Sequence, residues 1–501
     1  MAQRALPAGT PTRRAFFGLL DADGWGYAFW KALFWFAVLI FMLGYIPDRA
    51  YYFTVLPTLD LGYNVISPIN FCSPDNDGLP CPAPAGSVVP WQPSPADLAL
   101  PQGRSGAATF QNGTELFVAG GLVAGAATDS VLMTTTTSSG NFSAWSEGPK
   151  LPAPRSDAAV VSFNGVPYVL GGSGADGKPT DSIIVGQVDN GQLTGWKLDD
   201  TRKLPVALSG ASAVANATGI FLIGGQTASG PSAVVYRARL DSTVKPAILR
   251  DFTEEPTLVL RLGSGQQAPR AFGAALLAGS AIYYVGGNGP DGTSDVVFRL
   301  SLDAKGEPKL DANGQVIGWG QSTGAASLPA ARSHFAGFSA NGALYVPGGL
   351  GSDGKAVSSF LWAVPNGTTG DIAQWQQLDV TQLGQPISDA APAVVGAYAF
   401  VVGGVGADGT ALNGTARAYL APAAPFFRLG VLGMTIPALA LTGNTGQQLG
   451  FLMAGIVGGT NFVILILIGL AYSHQAQTKR LAEWLSRGRY RAPRDDEYFG
   501  E

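Results

Sequence analysis

Six times along this chain a short apolar run ends in a pair of glycines. The runs read ELFVA, PYVL, IFLI, IYYV, LYVP and AFVV, and the second glycine of each pair is Gly121, Gly172, Gly225, Gly287, Gly349 and Gly404. Successive pairs lie 51 to 62 residues apart. Apolar runs this short, bounded by glycine, read as strands. Ahead of each run, across a tight turn, lies a second strand of small residues such as Ala158-Ala159-Val160-Val161. Behind it comes a loop that often closes on Asp-Gly, at Asp176-Gly177, Asp291-Gly292, Asp353-Gly354 and Asp408-Gly409. Asp-Gly suits a hairpin turn because both central residues need positive φ, so these aspartates are turn formers rather than a ligand set. A tryptophan then marks an outermost strand: Trp145, Trp196, Trp319 and Trp375.

The pattern breaks in two informative places. The third copy lacks the tryptophan and carries a longer, more charged stretch from Arg237 to Arg261. The sixth has no outer strand after Gly404, whereas Val88-Val89-Pro90-Trp91 sits just ahead of the first copy with no unit of its own. That N-terminal strand is predicted to complete the sixth unit, which closes a ring and removes its open edge.

An opening of the form Leu-Pro-x-x-Arg recurs upstream of the strands, at Leu100–Arg104, Leu151–Arg155 and Leu328–Arg332, and its end survives at Ala268-Pro269-Arg270. With the Gly-Gly pair, the Arg-led inner strand and the late tryptophan, the chain from Val88 to about Tyr419 resembles the kelch repeat family, whose period is near 50 residues. The aromatic that this family places before the glycines is read as Tyr168, Tyr284 and Tyr345, with Phe117, Phe221 and Phe400 substituting. The resemblance implies an all-β, six-bladed kelch-like β-propeller. It speaks to the repeat, and a fold does not supply a function.

Outside the repeats, hydropathy changes character. Phe29 to Ile46 carries one charge, Lys31, and Leu449 to Tyr472 carries none. Each is long enough to cross a hydrocarbon core as a helix. Arg4, Arg13 and Arg14 precede the first, and Lys479, Arg480, Arg487, Arg489, Arg491 and Arg494 follow the second. Basic residues mark the cytoplasmic side, so both termini are expected inside and the repeats outside. A cleaved signal peptide fits less well, because no small-x-small site follows the first run. A twin-arginine export signal at Arg13-Arg14 is set against the Asp21 and Asp23 that separate it from that run. The expected organisation is a cytoplasmic segment 1–28, a transmembrane helix 29–46, an extracytoplasmic linker 47–87, the propeller 88–421, an interfacial segment 422–446, a second transmembrane helix 447–473 and a basic cytoplasmic tail 474–501.

Composition then narrows the chemistry. Charged residues make up only 13% and net charge is −4, which argues against a nucleic-acid surface. Two Cys and two His leave little room for thiol or metal work. Cys72 and Cys81 fall in the extracytoplasmic linker, where an oxidising compartment favours a disulfide between them. Copper-oxidising kelch propellers need a cysteine-linked tyrosine and two histidines in the propeller, and here only His334 lies within it. Six-bladed kelch-like sialate mutarotases match the blade count and would require polar groups gathered at one channel mouth.

Arg104, Arg155, Arg270 and Arg332 hold equivalent positions in four blades, with Leu208 and Ser388 in the other two; Asp157, His334 and Asp389 lie just beyond. An arginine ring could bind an anionic ligand or an acidic loop of a partner. Bonds from each arginine to backbone carbonyls are the favoured alternative, because the residue belongs to the repeat itself. Gly455, Gly459 and Asn461 form a small-residue face in the second span that implies a packed partner helix. No catalytic residues, metal site or cofactor stand out. The expected protein is therefore a non-enzymatic, membrane-anchored scaffold or accessory subunit whose partners are other membrane subunits and the lipid bilayer. A surface propeller that binds or processes carbohydrate, or an adhesin, is the alternative, with glycans as partner.

Overall fold

The structure, a computed structural model, describes residues 84–88, 91–93, 98–135, 142–245 and 247–420, together with the backbone of Phe426–Leu429 and Met434–Pro437. The first four blades are four-stranded antiparallel sheets whose strands run from inside to outside in chain order. Blade 1 is built from Ala108–Asn112, Glu115–Ala119, Val131–Thr135 and Ser146–Glu147. Blade 2 spans Ala159–Phe163 to Gln192–Leu208, blade 3 Ser212–Asn216 to Ile248–Glu254, and blade 4 Ala274–Ala278 to Gly320–Gln321. Blade 5 has three strands, Phe338–Ala340, Ala343–Pro347 and Phe360–Ala363; a single bridge from Trp362 to Gln376 replaces the expected fourth.

Blade 6 closes the ring as its missing strand predicts. Ala391–Val395, Tyr398–Val402 and Thr415–Tyr419 are followed outward by Gln92–Pro93 from the N-terminal side. Gln92 stands opposite Arg417, and Val88 bridges Leu420. The innermost strands meet around the axis, with that of blade 6 touching that of blade 1. The molecule is an all-β six-bladed propeller.

There is no single core. Six hydrophobic clusters lie in the six seams between blades. In blade 1, Leu116 and Val118 pack toward blade 6 while Phe117 and Ala119 pack toward blade 2. Both faces of the second strand are therefore buried, and this is why it reads as a continuous apolar run. The same register puts Tyr283, not the expected Tyr284, in line with Phe117, Tyr168, Phe221, Tyr345 and Phe400.

The Gly-Gly pair is where blades touch. Gly120 has φ +63°, and a Cβ there would lie well inside 3.0 Å of the Arg155 carbonyl oxygen of blade 2. The next N–H, of Gly121, donates to that same carbonyl at 2.7 Å. The contact recurs at every seam, ending with Gly404 donating to the Arg104 carbonyl at 2.8 Å. Glycine is required because the neighbouring backbone occupies the space of a side chain.

The outer tryptophans also have a defined task. The indole N–H groups of Trp145, Trp196, Trp319 and Trp375 donate to the carbonyls of Leu98, Pro149, Leu258 and Ala326 at 3.0, 3.0, 2.6 and 3.1 Å. Each ties an outer strand to the segment that entered its blade. Blade 3 uses an ionic device instead. Arg237 is fully buried, lies over the Phe221 ring at 4.4 Å, and makes a two-pronged pair with Glu307 of the blade 4 excursion at 2.6 Å per prong.

Among the described residues no helix is long and apolar enough to cross a membrane. The expected spans 29–46 and 447–473, the Cys72–Cys81 pair and the Gly455, Gly459 and Asn461 face lie outside the described residues. Within the expected interfacial segment, Phe426–Leu429 and Met434–Pro437 pair as a two-stranded sheet.

Candidate functional site

The site begins as a ring of backbone. Gly106, Asp157, Gly210, Phe272, His334 and Asp389 hold one equivalent position in the six blades. All six have φ between +52° and +57°. Each N–H donates to the carbonyl of the residue one blade earlier: Asp157 to Gly106, Gly210 to Asp157, Phe272 to Gly210, His334 to Phe272, Asp389 to His334, and Gly106 back to Asp389. The distances run from 2.7 to 2.9 Å, and the circle is closed. Left-handed backbone costs a non-glycine residue about 1–2 kcal/mol, so four such residues in one ring are held there by the hydrogen-bonded circle and the seams around it.

The ring sits at one end of the central channel. The residues immediately after it, such as Ala107, Ala158, Ala211 and Gly273, begin the lining of a cavity of about 420 Å³ walled by the innermost strands. That wall is mainly alanine, glycine and serine, which is what a crowded axis accommodates. Polar chemistry collects in the ring residues instead. The Asp157 carboxylate leans over Gly106, and the Phe272 ring leans over Gly210; a Cβ at either glycine would collide with them. The two glycines thus make room for two side chains. Phe272 also stacks on His334, with centroids 4.1 Å apart and planes 14° apart.

Serines of the preceding position hold the three polar members. Ser156 Oγ donates to Asp157 Oδ2 at 3.1 Å, Ser388 Oγ to Asp389 Oδ2 at 3.0 Å, and Ser333 Oγ lies 3.1 Å from His334 Nδ1. In blade 4, where the ring residue is Phe272, that position is Ala271. Burial raises Asp157 to about 6, and the Asp389 charge pushes the same way; the Ser156 hydroxyl and His334 oppose it. Burial also raises Asp389 to about 6 against the bond from Ser388. Burial lowers His334, with Asp157 resisting. The mouth therefore offers two carboxyl groups that titrate near neutrality, a neutral imidazole and an aromatic face. Such a set can accept hydrogen bonds from hydroxyl groups or exchange protons close to pH 6.

The four arginines lie elsewhere. Arg104, Arg155, Arg270 and Arg332 are buried, and each guanidinium is turned into its own blade. Arg104 donates to the carbonyls of Gly120 at 2.9 Å and Ser130 at 3.1 Å, and to Ser130 Oγ at 2.8 Å. Arg332 donates to the Gly348 carbonyl at 3.1 Å and Ser359 Oγ at 2.8 Å. Arg155 reaches Pro154 and Ser182, and Arg270 reaches Pro269 and Ser294. With its carbonyl bound to the preceding blade and its side chain to its own, each arginine fastens a seam. The seam contacts also correct one alignment: Ile387, whose carbonyl accepts from Gly349, stands at the arginine position of blade 6, and Ser388 is one residue further on. Phe272 escaped the sequence reading because nothing polar marks it.

Among the described residues no group of three or more His, Cys, Asp or Glu side chains could hold a metal ion. No protein-family model matches the chain, and no curated protein matches it. Among solved structures, one titled "Structure of YjhT" is similar over 63% of this chain and 95% of its own, at 14% identity and a TM-score of 0.47.

Proposed function

We propose that this chain is a membrane-tethered, extracytoplasmic kelch-like propeller that serves as a non-catalytic binding platform, a scaffold or accessory subunit of a larger membrane complex. The observation that carries the reading is the clasp. The first and last strands of the ring leave blade 6 side by side, Val88 against Leu420 and Gln92 against Arg417. The two ends of the described ring thus lie side by side at the outer edge of one blade, which favours two flanking tethers. Basic residues beyond the two apolar runs that flank the ring in sequence favour cytoplasmic ends for both. The small-residue face at Gly455, Gly459 and Asn461 favours a neighbouring helix as partner.

Gentle detergent extraction of the native membrane, native-gel separation and mass spectrometry of the band test this. Co-migration with a fixed set of membrane proteins is the expected result. Migration alone sinks the platform reading.

The mouth favours a second reading, a carbohydrate site. Carboxylates near ionisation accept hydroxyl hydrogen bonds, and the stacked Phe272–His334 pair offers a face for a sugar ring. This reading predicts saturable saccharide binding that falls at least tenfold in Asp157→Asn and Asp389→Asn, whereas Asp176→Asn in a hairpin turn changes nothing. Equal binding by all three variants would end it.

A further inference from the structure

The channel mouth has two unlike halves. Around the circle of hydrogen bonds the order is Asp389, Gly106, Asp157, Gly210, Phe272, His334 and back to Asp389. The two aspartates therefore flank Gly106, which has no side chain to separate them. Asp157 Oδ1 stands where a Cβ of Gly106 would be. Phe272, three places on from Gly106, stacks with His334 and presents a flat aromatic half. The rim above is described in full. In every blade the residue before the ring member pairs with the first residue after the Gly-Gly pair, from Ser105 with Leu122 round to Ser388 with Val405. The loops that start there form the rim. The described ring ends elsewhere: Leu420 bridges Val88 and donates to Ala397, at the opposite end of blade 6 from Gly403 and Gly404.

Each carboxyl group has one oxygen engaged and one free. Oδ2 accepts from the Ser156 or the Ser388 hydroxyl. Neither Oδ1 has a hydrogen bond among the described residues, and neither is sealed from solvent. No described Lys or Arg forms an ion pair with either aspartate. The four arginines of the blade openings turn into their own blades, and His334, lowered by burial, supplies no counter-charge at pH 7. Two half-buried carboxylates that feel each other, with no cation of the protein's own between them, favour one that arrives from outside.

We propose that the mouth binds an amino sugar, a sugar ring that carries a protonated amine. The ammonium group sits over Gly106 and donates to the free Oδ1 atoms of Asp157 and Asp389. The C–H face of the sugar lies against the Phe272–His334 half. The cavity of about 420 Å³ that opens at the ring is of the size that small-molecule sites have. This rests on the carbohydrate reading of the mouth and gives it a ligand class. A sugar acid is selected against, because its carboxylate would meet two of like charge and no accessible arginine.

The test is isothermal titration calorimetry on the full chain in detergent at pH 7, with glucosamine, glucose, glucuronate and N-acetyl-lysine amide as probes. Glucosamine is expected to bind at least about tenfold tighter than glucose, the effect of one charge-assisted hydrogen bond. Glucuronate should bind more weakly than either. When Asp157→Asn and Asp389→Asn are combined, with the fold checked by circular dichroism, the preference for glucosamine over glucose should shrink to within about twofold. Equal affinity of the wild type for glucosamine and glucose overturns the proposal and leaves the carbohydrate reading standing. No binding of either sugar overturns both. N-acetyl-lysine amide bound as tightly as glucosamine overturns the proposal in favour of a partner's lysine side chain. A preference that survives in the double variant overturns it as well, because the charge would then be read elsewhere.

Discussion

Two glycines with nearly the same φ separate conformational strain from steric fit. Gly120 has φ +63° and faces the Arg155 carbonyl; Gly177 has φ +70° and nothing within 4 Å of a Cβ. Alanine at either position pays the left-handed strain of about 1–2 kcal/mol. Only Gly120→Ala must also push a neighbouring blade aside, which adds about 1–3 kcal/mol. Chemical denaturation should therefore show Gly120→Ala as the more destabilised by at least about 1 kcal/mol, and equal losses would contradict the seam argument. The mouth carboxyls give a pH test. Folded Asp157 and Asp389 titrate near 6, above the unfolded value near 4, so the native state holds more protons between those limits and stability falls as pH rises through them. His334, lowered by burial, acts oppositely and loses stability as pH falls below about 6.5. Relative to wild type, Asp157→Asn with Asp389→Asn should gain of order 1–2 kcal/mol at pH 7.5 and almost nothing at pH 4, measured by denaturation at both. A gain independent of pH would show that the carboxyls are not buried as described.

Between blades, the outer tryptophans and Arg237 do the joining. Trp196→Phe removes an indole bond to Pro149 and should cost about 1 kcal/mol, whereas Trp91→Phe removes no bond and should cost well under half of that. Thermal unfolding of the two variants side by side checks this. Arg237→Ala removes the two-pronged bond to Glu307, which keeps Arg239 at 3.0 Å, empties the space over Phe221 and removes the bond to Thr218 Oγ1, so a loss of about 2 kcal/mol is expected. Much of the strand pattern was legible beforehand, because apolar runs, Asp-Gly turns and late tryptophans are local signals. Arg237 was visible only as part of a charged stretch. Its partner Glu307 lies 70 residues on, and nothing local announces that the blade 4 excursion folds back over blade 3. The missing fourth strand of blade 5 was hidden for a related reason, since Trp375 is present and bonds Ala326 while only Gln376 pairs with the sheet.

At the scale of the whole molecule, closure is the organising fact. Six seams share the hydrophobic burial, and the sixth blade depends on a strand from the other end of the chain. Deleting residues 84–93 removes the outer strand of blade 6, the Val88 and Trp91 contacts in the seam cluster, and the acceptor carbonyl of Ala85 for Trp362. The truncated chain should melt at least about 10 °C lower and self-associate through its open edge, read by calorimetry and light scattering. A monomer of unchanged stability would show that the clasp is dispensable.

The sequence by itself determined the number of blades and the strand that closes the ring, because each depends on short-range patterns that recur. A repeated column identifies what the architecture needs: Gly-Gly, where another backbone passes, and arginine, which fastens four of the six openings. The column two residues after the arginine reads Gly, Asp, Gly, Phe, His, Asp, so the repeat does not fix what stands there. Only the tertiary structure decided that these six close a ring of backbone hydrogen bonds at the channel mouth. It alone buried the arginines away from that mouth and left the Trp91 indole unsatisfied. The physical reason is the same in each case: burial, carboxyl titration and bond partnership are set by neighbours from other blades, and adjacency around an axis is not written in any one stretch of chain.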